Sequence, residues 1–366
     1  MIDEKLLKNE EKAIFALRSL YKQYGYLPFK MSKFEEYDLY LQNKDFLVSD
    51  RVITFNDTNG TLLALKPDVT LSIIKNTTDE VGCKQKVYYN ENVYRVSGST
   101  HQFKELMQTG LECIGDIDIF DVIEVINLGL KSLALISDSF TLDLSHMGVV
   151  SAILDEASDS DVFKKEIIKL ISGKNTHEAV AMCQKYGIND TCTEKISSLI
   201  SIYGKCDIAL EKLKPLCTTD DEKSAYDELS ALCNSIKGTY AEDKINLDFS
   251  VVNDMSYYNG IVFKGFLQGI PESVLSGGEY GKLLERMGRR SKAIGFAIYL
   301  DLLEVLDGER SGYDVDVLLI YNEENGKNAI ALKNKLISDG KSVSMQRAVP
   351  SKLRYKEIID ITKEGK

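Results

Sequence analysis

Two runs of strand-type residues, VYYNENVYRV (87–96) and ELMQTGLECIG (105–115), are separated only by the polar stretch SGSTHQFK. That closeness constrains the fold more than any other feature. A parallel pair needs a crossover of a dozen or more residues, so runs this near to each other pair antiparallel, as a long hairpin with a loop at its tip long enough to carry function. Upstream, 51–55 and 61–65 alternate as strands do, and Asn59-Gly60 between them suits a tight turn with positive φ. This predicts a second hairpin. Before it, Leu6, Leu7, Ile14, Leu17, Leu20 and Tyr21 fall three or four apart, predicting an amphipathic helix over 4–24 with Asp3 as cap and Gly25 as stop. The stretch 25–41 reads as extended, since Pro28 disfavours helix at its start.

Helical spacing returns over 121–136, and TLDLS (141–145) reads as a strand. From about 150 to 237 the chain is rich in Lys, Glu, Ser, Leu and Ile at helical spacing, a helical insertion, because KINLDFSVV, YYNGIVFKGF and SGGEYGK then resume sheet-type sequence. The apolar run over 292–306 reads as a helix. The tail offers one βαβ unit: strand 315–321, helix 327–338, Gly340 as stop, strand 342–345. Antiparallel hairpins interleaved with helices argue for an α+β fold and against a doubly wound parallel sheet. Two domains are expected: a core over 1–308, including the insertion at about 150–240, and an α/β tail over 309–366.

Charge and composition narrow the function. The net charge of −11 offers little for gripping nucleic acid, which needs a basic face. Seven cysteines without a CxxC pair read as reduced thiols, neither a disulfide framework nor a zinc site. Three histidines at no metal-ligand spacing make a His-based metal centre improbable. GGEYGK is no phosphate-binding loop, for Gly277 and Gly281 enclose three residues and Leu283 follows the Lys. The acidic start lacks the apolar core of a signal peptide, and no apolar stretch is long enough to cross a bilayer, so a cytoplasmic protein is expected.

The informative signal is a series of fragments taken in order. LKPDVT (65–70), YRVSG (94–98) with ELMQTGLECIG, NDMSYYNGIVF (253–263), SGGEYG (276–281) and AIGFAIYLDLL (293–303) together resemble the catalytic core of histidyl-tRNA synthetase, a class II aminoacyl-tRNA synthetase fold. The resemblance covers roughly 1–308; the helical insertion corresponds only in position. It implies a six- or seven-stranded antiparallel sheet flanked by helices, dimerising around 25–40. It also implies a histidine pocket of Asp68, Thr70, Gln108, Glu112 and Tyr258, with Asp68 where the family has a glutamate. Carboxylates suit an ammonium group and an imidazole N–H. By pattern alone, Gln108 and Glu112 read first as polar residues on one exposed face of a half-buried strand, and the resemblance reverses that preference.

The cations that handle ATP in this family are depleted. Arg95 matches the first of them. Asn253 stands where an arginine opens the RGLDYY-type motif, and Leu302 where one ends the GFAxGLER-type motif. SGSTHQFK replaces an arginine-rich loop. Loss of one preorganised charge donor costs ~10²–10³-fold in rate. Arg286, Arg289 and Arg290 are the nearby candidates for compensation. The tail spans about half an anticodon-binding domain. These departures together resemble the regulatory subunits of ATP phosphoribosyltransferase. That resemblance implies a non-catalytic chain acting in the first step of histidine biosynthesis. It would join the short-form catalytic subunit, as a homodimer within a hetero-octamer, to activate it and transmit feedback inhibition by histidine. No cofactor, metal, nucleic acid or membrane partner is expected. The competing readings are a divergent histidyl-tRNA synthetase or free-standing histidine-activating ligase, and a tRNA- or protein-binding module on an inactive synthetase fold.

Overall fold

The computed structural model of the chain describes residues 7–44, 51–96, 102–252, 257–307 and 312–362. The amphipathic stripe forms helix α1 (Asn9–Gln23), which buries Ala13, Leu17 and Tyr21. It starts later than expected, where Glu11 accepts the Lys8 N–H at 2.9 Å; Asp3 lies outside the described residues. Gly25, at φ +80°, turns the chain out of the helix. Short strands β1 (Leu27–Pro28) and β2 (Phe34–Glu36) follow. The remainder of the stretch expected to be extended is instead helix α2 (Tyr37–Gln42), which sinks Tyr40 into an apolar cluster. Pro28 restricts only the residue before it, so packing decides the conformation nine residues later.

The Asn59-Gly60 hairpin forms, with Gly60 at φ +87°, between β3 (Thr54–Asn56) and β4 (Leu62–Leu65). β2 pairs with the other edge of β4, giving a small sheet in the order β2-β4-β3. Helix α3 (Thr70–Lys75) leads to β5 (Lys84–Val96) and β6 (Phe103–Gly115), antiparallel from Lys84↔Gly115 to Val96↔Phe103. The hairpin is thus longer than its apolar runs. Helix α4 (Ile119–Ile136) is capped by Asp118, whose carboxylate accepts the N–H groups of Phe120 and Asp121.

Strand β7 (Phe140–His146) enters the insertion, which holds α5 (Met147–Ala157), α6 (Asp161–Ser172), α7 (Thr176–Lys185), α8 (Asp190–Ser201), the two-residue β8 (Tyr203–Gly204), α9 (Cys206–Leu213) and α10 (Asp220–Ile236). Side chains of Ser160, Asn175, Asn189 and Thr219 cap α6, α7, α8 and α10. Inside the bundle, Lys195 Nζ bonds Glu156 at 2.5 Å, Thr218 at 2.7 Å and Glu222 at 3.1 Å. The sheet resumes with β9 (Ile245–Asp248), β10 (Ile261–Leu267), β11 (Leu275–Glu279), helix α11 (Gly281–Arg286) and β12 (Lys292–Tyr299).

The expected helix over 292–306 is therefore wrong: its first half is strand β12, and only Leu300–Asp307 winds, as 3₁₀ turns. A strand buried on both faces reads as a continuous apolar run, and spacing alone does not separate it from a buried helix. Among the described residues the main sheet has nine strands, ordered β1-β5-β6-β12-β11-β10-β7-β9-β8. Six of them, β5 to β7 in that order, are antiparallel; β9 and the two-residue β1 run parallel to their neighbours β7 and β5. The sheet is thus wider and more mixed than expected. Helices α1 and α4 and the insertion share its principal apolar core.

The chain divides into two compact units, Met1–Leu306 and Asp307–Lys366. In the second, β13 (Val315–Ile320), α12 (Gly326–Ser338) and β14 (Val343–Gln346) form the expected βαβ unit, with Gly340 at φ +82° after the helix. A further strand, β15 (Tyr355–Asp360), pairs parallel with the other edge of β13. Leu319, Ala329 and Ile361 form its small core.

Candidate functional site

The site is built on one face of the main sheet, where β5, β6, β12 and β11 meet. Glu112 on β6 lies opposite Gly295 on β12, which in turn lies opposite Gly278 on β11. A Cβ at Gly295 would overlap Glu112 Oε2, and one at Gly278 would press within 2.8 Å of the Tyr258 ring. The two glycines therefore make a trough across the sheet that holds a carboxylate at one end and an aromatic ring at the other.

Glu112 is 2% exposed. The Thr70 hydroxyl donates to Oε1 at 3.0 Å and the Tyr280 hydroxyl to Oε2 at 2.5 Å. Burial pushes its carboxyl up to about 8, against those two hydrogen bonds and helped by the nearby charge of Asp68. Gln108, four residues earlier on the same face, is equally buried, and its Nε2 has no hydrogen-bond partner. An orphan buried amide of this kind costs free energy until something accepts its protons. The bland reading of Gln108 and Glu112 as polar residues on an exposed face is thus excluded.

The loop between β4 and α3 brings in Asp68 and Thr70. Lys66 anchors it, fully buried, with Nζ on Glu91 at 2.6 Å while its carbonyl accepts the Tyr94 N–H at 2.9 Å. Asp68 Oδ1 accepts the Leu71 N–H at 3.0 Å. Its other oxygen lies 3.7 Å from the Arg95 guanidinium, whose Nε donates to the Pro67 carbonyl at 2.7 Å. Arg95 is thus turned inward, toward the loop that carries Asp68. Tyr258 stacks obliquely on Tyr257, ring centroids 4.4 Å apart, and Tyr257 lies 5.6 Å from Tyr280. Burial raises all three phenols above their ordinary value. A cavity of about 460 Å³ opens beside Tyr258, toward α5 and the start of α10.

The structure therefore brings Asp68, Thr70, Glu112 and Tyr258 together, with Gln108 on the same face. Tyr280, Tyr257 and Lys66 join them without having been singled out in sequence; the signal available was the aromatic after the paired glycines in SGGEYG. Of the positions expected to have lost arginines, Leu302 packs half-buried against the principal core. Asn253 and residues 97–101 of the hairpin loop lie outside the described residues. Arg289 is occupied structurally: Asp79 Oδ1, the Thr77 hydroxyl and the Ile74 carbonyl accept its N–H groups at 2.7, 2.7 and 3.0 Å. His146 is likewise a scaffold residue, its Nδ1 accepting the Gly148 N–H at 3.0 Å and its Nε2 lying 3.1 Å from Glu228.

The chain is 26% identical over 350 residues to an ATP phosphoribosyltransferase regulatory subunit of Oceanobacillus iheyensis, spanning 94% of this chain and 86% of that one. It is 28% identical to the protein of that name from Clostridium kluyveri, over 88% of this chain and 85% of the relative. An ATP phosphoribosyltransferase regulatory subunit/histidyl-tRNA synthetase from Bacillus halodurans shares the fold at a TM-score of 0.76 and 24% identity, covering 96% of this chain and 93% of that one. The ATP phosphoribosyl transferase (HisG:HisZ) complex of Thermotoga maritima shares it at 0.63 and 20%, covering 80% of this chain and 97% of that one. No helix among the described residues is long and apolar enough to cross a membrane. The histidyl-tRNA synthetase family model matches residues 2–303, the span that holds the main sheet, the trough and every residue of the buried pocket, and the chain belongs to that family.

Proposed function

We propose that the chain is a non-catalytic regulatory subunit of ATP phosphoribosyltransferase, acting in the first step of histidine biosynthesis, and that its pocket binds histidine. The observation that carries this reading is a buried polar pocket around Glu112 and Gln108 in a chain whose Leu302, at the position the resemblance matches to an arginine, packs against the apolar core. Asp68 suits the ammonium group of histidine, the buried Glu112 carboxyl an imidazole nitrogen, and the orphan Gln108 amide an acceptor on the same ligand. Relatives named as regulatory subunits, matched along most of the chain, support the role. The partner is the short-form catalytic subunit, which the chain activates and to which it conveys feedback inhibition by histidine. Its own contribution to the hetero-octamer is a homodimer formed around 25–40. A coupling of ~1–3 kcal/mol between pocket and assembly suffices for such control.

Titration calorimetry of the full chain with histidine, repeated with Glu112→Ala, tests the pocket: binding by the wild type and its loss in the variant are expected, and equal affinity removes the pocket from the account. Affinity purification from the native cell is expected to bring down a small phosphoribosyltransferase. The rival reading, an adenylating enzyme, predicts pyrophosphate exchange with histidine and ATP, and exchange at an appreciable rate overturns the proposal.

A further inference from the structure

Cys206 is the first residue of α9 and Cys233 lies in the last turn of α10. Both line one cavity of about 160 Å³, together with Lys205, Asp207, Ile236 and Lys237. The helix ends that carry them are tied to their surroundings on both sides. Lys237 Nζ donates to Asp207 Oδ2 at 3.0 Å, and Lys205 Nζ donates to the Asp243 carbonyl at 2.6 Å. Between these ties the Cys206 and Cys233 side chains are neighbours on the cavity wall. Cys233 is buried and Cys206 is partly open to the cavity. Four further cysteines are buried, and Cys83 is exposed.

The thiolate is the reactive form of cysteine, and a helix N-terminus or a nearby lysine favours it. The neighbouring Cys233, with smaller help from the backbone and Lys205, holds the Cys206 thiol below its ordinary value against burial. The same contact and burial push Cys233 up. One sulfur is thus set to give up its proton and the other to keep it. At Cys83 the opposite holds, since the neighbouring Glu80 raises the thiol.

We propose that Cys206 and Cys233 form an oxidation site, at which a hydroperoxide oxidises Cys206 and Cys233 closes an intramolecular disulfide joining α9 to α10. In the first step the Cys206 sulfur attacks the peroxide, the O–O bond breaks, and sulfur, two electrons poorer, leaves as a sulfenic acid with water or an alcohol as co-product. In the second, the Cys233 sulfur attacks the sulfenic sulfur, the S–S bond forms, the S–O bond breaks, and the hydroxyl departs with the Cys233 proton as water.

The test uses the full chain, hydrogen peroxide as oxidant, alkylation to quench, and peptide mapping by mass spectrometry. A linked 206–233 peptide, two hydrogens lighter than its parts and reversed by dithiothreitol, is expected before Cys83 is oxidised. In Cys233→Ser, Cys206 is expected to stop at the sulfenic acid and be trapped by dimedone. A readout without any variant is competition for limiting iodoacetamide on the reduced wild type, where Cys206 is expected to label several-fold faster than Cys83. Slower labelling of Cys206 than of Cys83, or a linked peptide found only after denaturation, overturns the proposal.

Discussion

Replacing Glu112 by glutamine removes a proton-binding group while keeping its shape. In the folded chain that carboxyl holds its proton up to about pH 8, whereas its ordinary value is 4.5. A carboxyl raised by folding contributes stability that is full below the unfolded value and is lost as pH climbs through the folded one. At pH 7 the unfolded chain has released the proton and the folded chain has not. The resulting penalty is on the order of 3 kcal/mol, since each tenfold change in proton affinity is worth about 1.36 kcal/mol. At pH 5 it shrinks to about 1 kcal/mol by the same linkage. Glutamine stands in for the protonated acid, with its carbonyl able to accept the Thr70 hydroxyl and its amide able to face Tyr280. The stability of Glu112→Gln relative to wild type should therefore rise by about 2–3 kcal/mol between pH 5 and pH 7. Urea unfolding followed by tyrosine fluorescence at several pH values measures it. A gap between the two proteins that stays constant across this range would refute a proton held in the trough.

Gly295→Ala drives a methyl into Glu112 Oε2 and against the Leu111 carbonyl. It should cost about 1–3 kcal/mol in a urea melt and abolish histidine binding by calorimetry. Lys195→Met leaves Glu222 and Glu156 without their shared cation inside the insertion. A loss of about 3–5 kcal/mol is expected by the same melt. Leu302→Arg returns a guanidinium to a position now packed against apolar residues. It should destabilise by about 0.5–3 kcal/mol without producing pyrophosphate exchange, since Asn253 also departs from arginine.

What the sequence made legible was whatever local pattern controls. The 87–96 and 105–115 runs, the Asn59-Gly60 turn and the helix ending at Gly25 are each specified by a few neighbouring residues, and each is found. The failures came where burial decides. AIGFAIYL is apolar on both faces because β12 is sandwiched in the middle of the sheet, and nothing local distinguishes that from a buried helix. Tyr37–Gln42 is too short to show a period, and β15 pairs with a strand 40 residues earlier, as in Val315↔Tyr355. The pocket was legible in the same uneven way. Motif order pointed to Asp68, Thr70, Glu112 and Tyr258. The part played by Tyr280 depends on the contact it makes with Glu112 from 168 residues away, which no spacing rule encodes.

The β5–β6 hairpin outruns the sheet that carries it. β12 accompanies β6 only as far as Gln108, and Met107 is the last residue moored there, by its N–H to Asp301 at 3.1 Å. Beyond that point the hairpin is a ribbon of two strands, clamped to itself where Asn92 and Tyr94 share the Glu105 carboxylate at 2.5 and 2.9 Å. Paired strands alone twist further than strands in a wide sheet. The ribbon is tied instead to the loop between β4 and α3, through the Tyr94 N–H on the Lys66 carbonyl at 2.9 Å and Arg95 Nε on the Pro67 carbonyl at 2.7 Å, so the rung that carries Gln108 and the loop that carries Asp68 are its two moorings.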